Sequence, residues 1–122
     1  MVNFIEKALL EAVTATTTSA VVNVEGYRRI GFQFKRANHT AGSTAFTVEG
    51  TINGTDWTAL SVLVSNATNT NAQNRTRVAS VSLAADGTAL AFIEDVVVLK
   101  AIRVTATETT DGTHSAWLIA SE

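Results

Sequence analysis

Residues 44–64, TAFTVEGTINGTDWTALSVLV, constrain the fold more than any other stretch of the chain. Phe46, Val48 and Ile52 alternate with Thr47, Glu49 and Thr51, a period of two that lays the apolar set on one face of a sheet. Asn53-Gly54 then supplies the positive-φ backbone that the tightest hairpin turns need. A second apolar run opens at Trp57. The stretch reads as a hairpin, and the chain therefore as a β protein, but it specifies no chemistry.

Other segments follow the same period. In residues 27–36, YRRIGFQFKR, Ile30, Phe32 and Phe34 face one way, and Arg29, Gly31, Gln33 and Lys35 face the other. One face is core and the other is wet or meets a partner. Gly31, on the outer face, permits close approach to its backbone. Val22 and Val24 alternate in a short piece ended by Gly26. Residues 75–83 read as one strand with Ala79, Val81 and Leu83 in phase, and 88–93 as a short strand or helical turn. Residues 96–107 read as a strand pair or one bent strand, with Ile102, Val104 and Ala106 in phase. Asp111-Gly112 marks a turn into 115–120, where Trp117 and Ile119 oppose Ala116, Leu118 and Ala120. Residues 37–43 and the asparagine-rich stretch 65–74 read as loops. The only helix candidate is 3–12, NFIEKALLEA, where Ile5, Leu9 and Ala12 share a face. The segment is short for an independent helix, and an arm docked on something else fits it equally.

About eight strands at turn spacings of ~8–12 residues predict an all-β, two-layer antiparallel sandwich, jelly-roll-like in connectivity, with a short N-terminal arm or helix. At 122 residues the chain is a single domain. Residues 1–18 form an arm or first strand suited to attachment, and 19–122 form the sandwich. The chain has no cysteine, which removes disulfides and thiolate chemistry. It also has no proline, so its turns fall to glycine, asparagine and aspartate. A net charge of −2 with 16% charged residues argues against binding nucleic acid. No signal peptide is visible at the start, and no apolar stretch approaches the ~20 residues of a membrane span. Without a secretion signal, the Asn-X-Ser/Thr sequences at Asn38, Asn53, Asn66 and Asn74 read as threonine-rich loops.

Catalytic and metal constellations are missing from the pattern. His39 and His114 sit in or beside turns with no second ligand in phase, so they read as loop histidines and no metal site is expected. There is no nucleophile elbow, phosphate loop or dinucleotide fingerprint. Glu94-Asp95 are adjacent and point to opposite faces of a strand, while Glu49 and Asp56 read as solvated. Asp56, Asp86 and Asp111 beside glycines read as turns rather than calcium loops. The expectation is a protein without enzymatic activity or cofactor. Trp57 and Trp117 read as core anchors, with a sugar-stacking platform as the alternative. The candidate interaction residues are Phe4 and Ile5 in the arm, Asn53 and Asp56 at the hairpin tip, and the basic set Arg28, Arg29, Lys35, Arg36, Arg75 and Arg77. That basic set has two readings: solvated charges, or an inter-subunit contact with carboxylates on a neighbour.

The segments GYRRIGFQFK, VEGTINGTDWTAL and LKAIRVTATETTDGTHSAWLIA together resemble small β-sandwich structural proteins of tailed bacteriophages, over about residues 26–120. In those proteins an Asn/Asp-Gly-Thr-x-Trp turn leads into a strand, and an Ile-Arg-Val strand followed by a glycine turn closes the sheet. The resemblance implies a capsid decoration, or cement, protein that binds the major capsid protein or other virion proteins. It implies a homo-oligomer, with a trimer favoured, residing on a virion assembled in the host cytoplasm and contacting neither nucleic acid nor membrane. It carries over no catalytic residue. A carbohydrate-binding sandwich and a tail, baseplate or fibre component are the alternatives.

Overall fold

The computed structural model describes residues 4–65, 75–93 and 98–122. The expected features at Asn66, Asn74 and Glu94-Asp95 lie outside them. Twelve strands are present among the described residues: β1 (Phe4–Val13), β2 (Thr17–Thr18), β3 (Val22–Asn23), β4 (Arg29–Ala37), β5 (Thr44–Thr51), β6 (Thr58–Leu60), β7 (Val62–Ser65), β8 (Arg75–Val78), β9 (Val81–Leu83), β10 (Gly87–Ile93), β11 (Ala101–Glu108) and β12 (Thr113–Ser121). They build two antiparallel sheets packed as a sandwich. The first runs β1-β12-β4-β10-β7-β8. The second runs β2-β11-β5-β6, with β3 also on β11 and β9 also on β5.

The count is twelve rather than about eight because several passes of the chain are broken. β6 belongs to the second sheet and β7, one residue later, to the first. β8 and β9 make the reverse switch across Ala79 and Ser80. The apparent alternation through 75–83 breaks at this corner: Val78 packs on the core while Arg77 and Ala79 are exposed, and beyond the corner Val81 and Leu83 face inward.

Residues 3–12 read as a helix or a docked arm; from Phe4 onward they form a strand. β1 pairs antiparallel with β12 from Phe4↔Ser121 to Val13↔His114. The register shifts between Ala8 and Leu10 and again before Val13, and Ala12 takes a φ of 50°. A bulge of this kind inserts residues and breaks the two-residue period. Ile5, Leu9, Leu10 and Val13 therefore reach the core at successive spacings of four, one and three residues, which imitates a helical stripe. Among the described residues no helix is present, and none is long and apolar enough to cross a membrane.

The core sits between the sheets and follows the alternation elsewhere. Ile30, Phe32 and Phe34 of β4 meet Phe46 and Val48 of β5 and Ile102, Val104 and Ala106 of β11. The Phe34 and Phe46 rings stack across the two layers at 4.7 Å, and Phe32 stacks on Phe34 at 5.7 Å. Ile52 departs from expectation. β5 ends at Thr51, so Ile52 falls in the turn and is 75% exposed. That turn spans more than two residues, since the pairing closes at Gly50↔Thr58. Asn53 organises it: its Oδ1 accepts from the amides of Thr55 and Asp56, and its amide donates to Asp56. Gly54 supplies the positive φ of 86°.

One end of the sandwich is polar inside. Arg36, expected on the surface, is completely buried. It continues the Ile30-Phe32-Phe34 phase inward. Its guanidinium donates from Nη1 to the carbonyls of Gly42 and Leu83, and from Nη2 to those of Ala41 and Asp111, at 2.7–3.1 Å. Three connections are thereby tied to one side chain. His114, expected in a loop, lies in β12 in phase with Ala116, Leu118 and Ala120 and is also fully buried. Its Nδ1 shares a 3.0 Å hydrogen bond with Thr44 Oγ1, and its Nε2 lies 3.5 Å from Glu108 Oε2.

The loops over this end are held by the carboxylates of Asp111, which is half-buried, and Asp86, which is exposed. Asp111 accepts from the Thr40 hydroxyl and from the Thr40 amide at 2.8 Å. These bonds, helped by the Ala41 amide and the Arg36 charge, hold its carboxyl below the usual carboxylate range. Asp86 is lowered in the same direction by hydrogen bonds from the His39 side chain and amide. A carboxyl depressed on folding contributes stability that is fully present above its unfolded pKa of about 3.9 and is lost as pH falls through the folded value. Thermal melts should therefore show the midpoint falling as pH drops below about 4. Asp111→Asn should flatten that fall. An unchanged pH profile in Asp111→Asn would show that its carboxylate does not pin the loop.

Candidate interaction surface

The outward faces of the two sheets differ. The second sheet presents polar residues that satisfy one another. Glu49 accepts from Arg103 Nε at 3.1 Å, and the Arg103 guanidinium lies 4.3 Å from the centre of the Trp57 ring. Thr18 and Thr105 share a hydroxyl hydrogen bond at 2.9 Å. Glu49, expected to be solvated, is thus half-buried in an ion pair. Trp57, expected in the core, is a half-buried surface ring covered by a cation.

The first sheet presents apolar residues. Strand pairing aligns them in rows across it. One row reads Glu6, Ile119, Gly31, Phe92, Leu63, Arg77 from β1 through β12, β4, β10 and β7 to β8. The next reads Ala8, Trp117, Gln33, Leu90. Trp117, Ile119 and Leu90 are 38%, 50% and 52% exposed. Trp117, too, is therefore no core anchor: the core side of β12 belongs to Ala116, Leu118 and Ala120. With Gly31, Phe92 and Gln33 these residues line a shallow groove of about 480 Å³. The floor of the groove is low at Gly31, where a Cβ would meet the Phe92 ring at 3.5 Å and Ile119 at 3.7 Å. Apolar side chains gathered on one sheet face, rimmed by charge, mark a contact surface more strongly than isolated exposed residues do.

The candidate residues divide accordingly. Phe4, Arg29, Lys35 and Arg77 belong to this outer face or its rim, and all four are exposed. Arg28 is exposed just before β4, its amide donating to the Ser121 carbonyl. Ile5 points inward and packs on the core. Arg36 is interior. Asn53 and Asp56 lie on the hairpin of the other sheet and make the turn. Arg75 pairs through its backbone with Ser65; its side chain lies outside the described residues. Part of the patch is written in local periodicity: it puts Trp117 and Ile119 on one face of their strand, and Leu90 and Phe92 on one face of theirs.

Asp56, Asp86 and Asp111 each make turn or loop hydrogen bonds instead of converging. Among the described residues no group of three or more histidine, cysteine, aspartate or glutamate side chains is placed to hold a metal ion.

No protein-family model and no curated protein matches the chain. Among solved structures, the fold is similar to that of the SPBc2 prophage-derived protein YomS. The TM-score is 0.71, with 15% sequence identity over 100% of this chain and 96% of that one. At this identity the likeness is one of fold.

Proposed function

We propose that this chain is a non-enzymatic structural protein of a bacteriophage particle, and within that class a decoration protein that binds and stabilises the head. The observation that carries the reading is the full-length fold likeness to a prophage-derived protein. It agrees with the phage-type hairpin and Ile-Arg-Val strand of the sequence. The partners are the major capsid protein or other virion proteins, and the chain acts as a homo-oligomer. The frequent passage of the chain between sheets fits jelly-roll-like winding. Attachment is assigned to the N-terminal segment. β1 is an edge of its sheet, and its outer backbone can accept a strand from a neighbour. Particles assembled with the protein should survive heating that disrupts particles assembled without it. Equal survival, with no copies bound to either, would remove the reading.

A second reading has its own support. Trp117 is exposed beside Gln33 on a grooved sheet face, the arrangement an aromatic platform needs to stack on a sugar ring. Glycan-array binding abolished by Trp117→Ala in a protein that melts normally would favour a carbohydrate-binding module over a decoration protein.

A further inference from the structure

We propose that the outer face of the first sheet is a two-fold interface between two copies of this chain. The row Glu6, Ile119, Gly31, Phe92, Leu63, Arg77 is acidic at one end, basic at the other and apolar between. A two-fold axis parallel to the strands, lying between β4 and β10, exchanges the ends of that row. Each Glu6 then lies over the Arg77 of the other copy, and each Ile119 over the other Leu63. Each Phe92, whose ring flanks its own Gly31, faces the Gly31 position of the other copy. The row is complementary to itself in charge, and apolar residue meets apolar residue between the charged ends.

Extent and symmetry agree with this. Six strands at ~4.8 Å spacing make the face about 24 Å wide, and the rows from Phe4 to Ser115 make it about 20 Å tall. Two copies therefore cover on the order of 1,000 Å², the lower bound of a specific interface. Contact of a face with the same face is isologous and closes as a dimer, whereas a three-fold ring needs two different patches. Two twisted sheets pack in this aligned way inside sandwiches generally. A sugar occupant fits less well, because Leu90, Ile119, Phe92 and Leu63 offer it no hydrogen bonds.

The test is sedimentation equilibrium of the full chain. The parent should have twice the 12.9 kDa chain mass. Leu90→Lys and Trp117→Ser should sediment as monomers with parental melting curves. Glu6→Lys and Arg77→Glu should each weaken the dimer about tenfold, and the double exchange should restore it. The restoration separates lost contact from lost folding. A monomeric parent, a trimer, or a dimer indifferent to Leu90→Lys and Trp117→Ser would overturn the proposal. So would a monomer that binds glycans through Trp117.

Discussion

Arg36→Leu should lower stability by about 3–5 kcal/mol. Leucine keeps much of the apolar stem but removes all donors. The carbonyls of Gly42, Leu83, Ala41 and Asp111 then lose their shared partner at once. Each stranded carbonyl costs about 1–3 kcal/mol if it stays dry. The full sum is not expected, because the loops at this end can open and let water in. Relief of the desolvated guanidinium, whose Nε has no partner, offsets some of the loss as well. For a domain whose total stability is about 5–15 kcal/mol the remainder is still severe. At roughly 4 °C per kcal/mol it lowers the melting temperature by about 15 °C. Arg36→Lys should cost about 1–3 kcal/mol, since one ammonium cannot reproduce a planar fork reaching four carbonyls. Chemical denaturation measures both. A loss under about 1 kcal/mol in Arg36→Leu would show that the three connections are not held by this side chain.

Phe46→Ala should also cost about 3–5 kcal/mol, for a different reason. Phe46 is fully buried and stacks on Phe34 of the opposite sheet. Truncation removes apolar contact from both layers and leaves a cavity between them, and sheets held by backbone hydrogen bonds cannot collapse to fill it. The offset stack adds about 0.5–1.5 kcal/mol beyond the buried area. Phe46→Leu should cost less than half as much. Ile52→Ala supplies the contrast. Period-two reading sets Ile52 beside Phe46 and Val48, but it lies exposed in the turn, so its truncation should fall within about 0.5 kcal/mol of zero. Equal losses at Phe46 and Ile52 would mean that β5 continues beyond Thr51.

Much of this architecture was legible because β alternation is a strong signal. Ile30, Phe32 and Phe34, the in-phase residues of 102–106, and Ala116, Leu118 and Ala120 all lie where their period puts them. Three kinds of information escaped. Bulges change phase, and the one in β1 made a strand imitate a helix. Corners reset the phase, as at Ala79-Ser80, where the inward set passes from Val78 to Val81 and Leu83. Residue type also overrode position: Arg36 and His114 fall in phase with apolar neighbours, but charge and ring nitrogens suggested surface and loop. The partners that let them stay inside are backbone carbonyls, Thr44 and Glu108, distant in sequence and invisible before folding. The tryptophans failed in the opposite sense. Their size suggested the core, yet one stacks under Arg103 and the other stands on an open sheet face.

The candidate surface was legible only in pieces. Arg29 and Lys35 were placed on the outer face of their strand, and Trp117 and Ile119 shared a face of theirs. Only strand order sets β12 beside β4 and β4 beside β10, merging these half-patterns into one apolar strip. Local pattern tells which residues share a face of one strand, and topology decides which faces become a surface.

The most direct measurement of the proposed decoration role is an electron-microscopy reconstruction of intact phage particles assembled in cells that make this protein. The account predicts density for the sandwich at symmetry-related positions on the head, seated against the major capsid protein. Particles that lack the protein, or that carry it only on the tail, would contradict it.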